Sequence, residues 1–142
     1  MIINLSYNRP KIKTILFELV GRPLSFIESF KIRGIGSNKL VITDASHEII
    51  DLLKLDNNIN YCNIEIRKNG VVVRFRSLLE TYGFILPYHK LVIYKGESKV
   101  YSFYNDNNFI KFLAENKSTH LFIKKVTTLK NDYLNKTGLS HL

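Results

Sequence analysis

Four cations crowd one short stretch of the chain: Arg67, Lys68, Arg74 and Arg76, in "EIRKNGVVVRFRS". Alternate residues of a β-strand project from the same face, so Arg74 and Arg76 share a face. A turn at Asn69 and Gly70 places Arg67 and Lys68 beside them. Guanidinium and ammonium groups gathered on a rigid hairpin attract phosphates and carboxylates. The chemistry they suggest is recognition of an anionic lipid surface, a nucleic acid or a protein partner. A solvated sheet face would carry the same residues, because exposed ion pairs contribute little and many surface charges are only hydrated.

Catalytic chemistry has less to build on. There is no phosphate loop, no dinucleotide glycine pattern, no His-Glu-x-x-His and no nucleophile elbow. "GIG" at 34–36 is two glycines in a turn. His47, His89, His120 and His141 have no metal-ligand spacing to one another, to the single Cys62 or to a carboxylate, so no metal and no cofactor is expected. Cys62 alternates with Ile64 and Ile66, which points it inward as an inert thiol. An enzyme with a cryptic pocket, one holding His47 or His89 beside a carboxylate, stays open as an alternative.

The 142 residues fit one domain, and 45% apolar with 23% charged residues suits a packed core without staples. One cysteine makes no internal disulfide, no signal peptide is read at the N-terminus, and no run reaches the roughly 20 apolar residues of a membrane span. A reducing cytoplasm is the expected location, with peripheral attachment to a membrane compatible with the charge. That charge is +9, from 21 Lys plus Arg against 12 Asp plus Glu. It favours anionic partners, or it merely keeps a small domain soluble.

The elements that must position these residues are mostly β. "PKIKTILFELV" at 10–20 is helical by the spacing of Ile12, Ile15, Leu16 and Leu19, opened by Pro10 and stopped by Gly21 and Pro23. A second short helix covers Leu24, Ile27 and Phe30. "NKLVIT" reads as a strand and 44–55 as a helix capped by Asp44, with Ile49, Leu52 and Leu53 on one face. Asn-Gly is a strong hairpin signal because both residues tolerate positive φ. Closing the turn on Asn69 and Gly70 pairs Lys68 with Val71, Ile66 with Val73, Glu65 with Arg74 and Asn63 with Arg76. Leu78 and Leu79 break the alternation, so a corner falls at 77–80 and a new strand at 80–86, ended by Pro87. "KLVIYK" and "KVYSFY" form another hairpin, in which Tyr94, Tyr101 and Phe103 take no assigned face. An apolar outer face there would suit a partner chain or a homo-oligomer. "NFIKFLA" is a further strand. The last helix carries Phe122, Val126, Leu129 and Tyr133 on one stripe, with Ser118 or Thr119 as cap, Lys124 opposite the stripe and Gly138 at the end.

Seven β-elements from Lys39 and one closing helix make the element count of a pleckstrin-homology-like domain. "VVVRFRSLLETYGFILPYHKL" is similar to the pattern of bacterial members, with the paired leucines at Leu78 and Leu79, the aliphatic–proline pair at Leu86 and Pro87, and Leu91 opening the next strand. Ser77 stands where glycine is expected, and the helix at 44–55 is an insertion. The stretch also resembles small uncharacterised bacterial proteins with no assigned activity. The resemblance implies an α+β fold, mainly antiparallel β: a PH-like bent sandwich or barrel over 38–142 with a plugging C-terminal helix, and 1–37 as a helical extension. We therefore expect a non-enzymatic binding or scaffold domain that meets an anionic surface or protein through the rim of Arg67, Lys68, Arg74 and Arg76. A nucleic-acid-binding sheet is the alternative from a different class. In "FRSLLETY", Arg76, Glu80 and Tyr82 either decorate an exposed rim or fix a strand corner with Arg76 paired to Glu80.

Overall fold

The computed structural model describes every residue except 8, 56–58, 98 and 139–142. His141 therefore lies outside the described residues, as do parts of the Asn-rich loop after Leu55 and of the turn after Gly96. In chain order the elements are β1 (Ile2–Asn4), α1 (Pro10–Val20), α2 (Phe26–Lys31), β2 (Leu40–Ala45), α3 (His47–Leu53), β3 (Tyr61–Arg67), β4 (Gly70–Ser77), β5 (Glu80–Pro87), β6 (Val92–Lys95), β7 (Val100–Tyr104), β8 (Phe109–Leu113) and α4 (Lys117–Thr137). The fold is α+β. Eight antiparallel strands run in the order β1-β5-β4-β3-β2-β8-β7-β6, and the sheet is not closed into a barrel.

β2 joins the two wings of this sheet. Leu40 and Val41 pair with β3, while Ile42, Asp44 and Ala45 pair with β8. The register shifts between Ile42 and Asp44, and such a bulge bends a strand and re-aims it. The inward alternation then meets from both wings. Ile64, Ile66, Val71, Val73, Phe75 and Phe84 pack with Phe103, Ile110 and Phe112, and α3 adds Ile49 and Leu53. α4 covers this core with Phe122, Ile123 and Val126 buried and Leu129 and Tyr133 packed against it, which is the stripe read from the sequence. Its N-cap is Asn116 rather than Ser118 or Thr119; both of those hydroxyls donate to Asn116 Oδ1. Gly138 ends the helix in the left-handed conformation. Tyr101 and Phe103 face inward, while Tyr94 is exposed.

A smaller core lies on the other face of the first wing. Leu16 and Val20 of α1 are buried against Val72 and Ile85, with Ile12 and Leu19 alongside. Burying each aliphatic side chain stabilises by about 1.5–3 kcal/mol, which is enough to hold an 11-residue helix on a sheet. The N-terminal segment is not wholly helical: β1 adds an edge strand to β5, with Ile3 opposite Gly83. α2 is shorter than its apolar spacing suggests and leaves Leu24 outside it. α3 begins at His47 with Ser46 as N-cap, because Asp44 still belongs to β2.

The β3–β4 hairpin differs in register from the sequence reading. Arg67 opposes Gly70, Ile66 opposes Val71, Ile64 opposes Val73 and Asn63 opposes Arg74, so the turn residues are Lys68 and Asn69. Each β3 residue meets a β4 partner two positions earlier than expected, and because side chains alternate with a period of two none changes face. Neither Asn69 nor Gly70 takes positive φ. The turn is set from outside instead: Asn69 N–H donates to Val20 O at 2.7 Å and Lys68 N–H to Arg22 O at 3.2 Å, while Asn69 O accepts from Tyr88 N–H at 2.9 Å. Gly70 is required for close approach. A Cβ there would lie 2.5 Å from Leu86 O, 2.7 Å from Val20 Cγ1 and 2.8 Å from Pro87 Cα.

Candidate functional site

The four cations of the hairpin meet four different fates. Arg67 is buried, its Nε donating to Gly21 O at 3.3 Å and its Nη1 lying 3.7 Å from Glu65 Oε1. Burial pulls this guanidinium below its ordinary pKa, and the Glu65 carboxylate pushes back. Gly21 makes the contact available. It stops α1 at φ +78°, and a Cβ on it would come within 2.9 Å of Lys68 Cβ. Lys68 reaches Glu28 of α2 at 3.4 Å. Arg74 is half-buried and ion-paired with Glu65, a diagonal neighbour in the observed register and still within reach of long side chains. Arg76 is exposed and enters no ion pair among the described residues.

These cations are not one rim. Arg67 and Arg74 converge on Glu65 and Lys68 turns to Glu28, while Arg76 stands six positions along β4 from Gly70, roughly 20 Å of extended chain against a screening length of about 8 Å at physiological salt. Glu80 does not pair Arg76. It accepts from Asn4 Nδ2, from Tyr7 Oη at 3.2 Å and from Tyr82 Oη at 3.4 Å, and so ties β1 and the following loop to β5. Ser77 also has a structural duty that a glycine could not perform: its buried hydroxyl donates to Leu52 O at the end of α3.

Around Arg76 the outer face of the sheet is bare, because α1 covers only the Val72 and Ile85 end. A broad depression of about 760 Å³ lies here, lined by Lys39, Tyr61, Asn63, Arg74, Arg76 and Leu79 among others. Lys39 Nζ stands 4.4 Å over the Tyr61 ring. The β4–β5 turn closes one end with Leu78, at φ +56°, and Leu79, which is 88% exposed. Tyr61 was legible in the alternation that placed Asn63 and Glu65 outward. Lys39 was not, because its neighbour is decided by where β2 leaves β3. The Cys62 thiol also borders the depression from within the core, and burial pushes its pKa up to about 12. It is a protonated apolar group at neutral pH, not a nucleophile.

The remaining candidates are dispersed. His47 is exposed beside Asp51 at 3.7 Å, His89 is exposed, and His120 Nδ1 meets Tyr101 Oη at 3.0 Å. Among the described residues no three His, Cys, Asp or Glu side chains gather as metal ligands, and no helix is long and apolar enough to cross a membrane. Lys125 is no surface cation: its ammonium donates to Ile32 O and Gly34 O, both at 2.9 Å, and clamps the chain after α2 to α4. Comparison with known protein families, curated proteins and solved structures finds no match.

Proposed function

We propose that the chain is a non-enzymatic binding domain of PH-like plan that takes an acidic protein surface into the open strip around Arg76. The resemblance is supported by the strand order β5-β4-β3-β2-β8-β7-β6 followed by α4, with α3 as an insertion and residues 1–37 as an addition. The observation that carries the binding site is Arg76. It is the one hairpin cation of the four both exposed and in no ion pair among the described residues, and it lines the same depression as Lys39 and the exposed Leu79. A carboxylate is attracted by the two cations, and an apolar side chain next to it covers Leu79. Desolvating such a neighbouring apolar group strengthens the charge contact.

A nucleic-acid strand is the second reading, favoured by the Tyr61 ring with Lys39 against it, since bases stack on aromatic faces flanked by cations. Retention of Lys39→Glu/Arg76→Glu on polyglutamate and on RNA at two salt concentrations tests both. Salt-sensitive loss on polyglutamate, with Lys124→Glu/Lys130→Glu unaffected, is expected. Equal loss in the two double variants would mean a diffuse effect of net charge and would sink the site. Loss confined to RNA would favour the second reading.

A further inference from the structure

Outside the strand meander, α2 holds three large apolar side chains in solvent: Phe26 is 87% exposed, Ile27 66% and Phe30 77%. A helix this short normally turns such residues inward. Here the helix is held in place from both ends. Ser25 and Glu28 form a reciprocal capping box, with Glu28 N–H donating to Ser25 Oγ at 3.2 Å and Ser25 N–H to Glu28 Oε1 at 3.0 Å. Arg22 grips the same carboxylate with both Nη atoms, at 2.6 and 3.0 Å. Beyond the C-terminus, Lys125 binds the carbonyls of Ile32 and Gly34, while Leu24, Ile32 and Ile35 pack against the main core. The helix is tethered through the residues that flank it and buries none of its own, so the three side chains stand in solvent on a fixed support.

The surroundings are cationic. Arg22 and Lys68 share the single carboxylate of Glu28, and Lys31 and Arg33 are exposed and in no ion pair among the described residues. Four cations face one carboxylate. We propose that α2 is a membrane-surface anchor: Phe26, Ile27 and Phe30 enter the headgroup boundary of a bilayer, and Lys31, Arg33, Arg22 and Lys68 meet its anionic lipids. A bilayer is chosen over a protein for two reasons. Six residues make fewer than two helical turns, too little surface to form a groove for another helix or strand, whereas a lipid interface is soft and needs no matching shape. A second copy of this chain would set the same excess of cations against itself. Apolar insertion and electrostatic attraction are each weak alone, and reversible attachment needs both signals together. The anchor is independent of the Arg76 strip.

Flotation of the full chain with phosphatidylcholine vesicles, with and without about a third phosphatidylserine, tests this. The chain should float with the anionic vesicles only. Phe26→Ser/Phe30→Ser and Lys31→Glu/Arg33→Glu should each reduce flotation at least about tenfold, while Lys39→Glu/Arg76→Glu floats as the parent does. The chain has no tryptophan, so Phe26→Trp reports the helix directly, and its emission should shift to the blue on anionic vesicles and stay unshifted with polyglutamate or RNA. Undiminished flotation of Phe26→Ser/Phe30→Ser, or an unshifted Phe26→Trp emission, would overturn the anchor. So would an equal shift with polyglutamate, which would assign α2 to a protein partner. Loss of flotation in Lys39→Glu/Arg76→Glu alone would move lipid binding to the other end of the hairpin.

Discussion

The two ends of the β3–β4–β5 meander are both two-residue turns, yet they live in different worlds. At Lys68–Asn69 the chain is enclosed. Val20 and Arg22 accept the turn's N–H groups, Gly21 takes the Arg67 guanidinium, and Glu28 takes Lys68. At Leu78–Leu79 the turn stands in solvent, with Leu79 and Arg76 exposed. The difference comes from the N-terminal segment. α1 packs on the Val72 and Ile85 end of the outer face and α2 follows it, so Arg67 at the covered end is buried as a structural residue, whereas Arg76 at the bare end stays exposed and in no ion pair among the described residues. Position within a strand pattern therefore says little about whether a cation is free; what packs over it decides.

The sharpest way to break this contrast is Gly70→Val. Its Cβ would meet backbone atoms of Leu86 and Pro87 that cannot move without unpairing β5. We expect a loss of about 3 kcal/mol or more in urea unfolding. A loss below about 1 kcal/mol would show that the covered turn is not tightly packed.

Arg67→Met keeps the buried stem and removes the guanidinium. Gly21 O then loses its donor, and Glu65 keeps only Arg74. About 1–3 kcal/mol should be lost, with retention on polyglutamate unchanged. A stable variant with lost retention would make Arg67 a binding residue and erase the distinction between the ends.

The covered end should also be the acid-sensitive one. Arg22, and then the Ser25 N–H, hold the Glu28 carboxyl well below the usual carboxylate range. With the folded value depressed, its contribution is fully present above the unfolded value of about 4.3 and is lost as pH falls from there toward the folded value. Protection of the α2 amides, measured relative to intrinsic exchange, should fall from about pH 5 downward, before that of the β4–β5 turn. An α2 protection factor that stays flat to about pH 3 would mean that Glu28 does not hold the helix.

The smallest effect belongs to the bare turn. Leu79→Ser and Arg76→Glu should each change stability by no more than about 0.5 kcal/mol, since neither side chain is buried. Calorimetry showing a larger loss for Leu79→Ser would mean that the exposed leucine has an unrecognised structural contact.

Local patterns on the chain were enough for much of the fold. The alternation of Cys62, Ile64 and Ile66 with Val71, Val73 and Phe75 is a property of strand geometry, and a two-residue change of partner, equal to the side-chain period, left it intact. Pro10 and Gly21 bound α1 because φ is restricted at one and released at the other, and the spacing of Phe122, Val126, Leu129 and Tyr133 marks the buried stripe of α4. The hairpin register, the burial of Arg67 and the bare strip at Arg76 were beyond such patterns. They depend on contacts from Val20, Gly21 and Glu28, more than forty residues away for the first two. The same holds for α2, where Ile27 and Phe30 have the spacing of a core helix and nonetheless face solvent. A periodic apolar stripe records which side chains lie together on a helix; whether that stripe meets protein is decided by where the flanking Leu24, Ile32 and Lys125 contacts hold the helix.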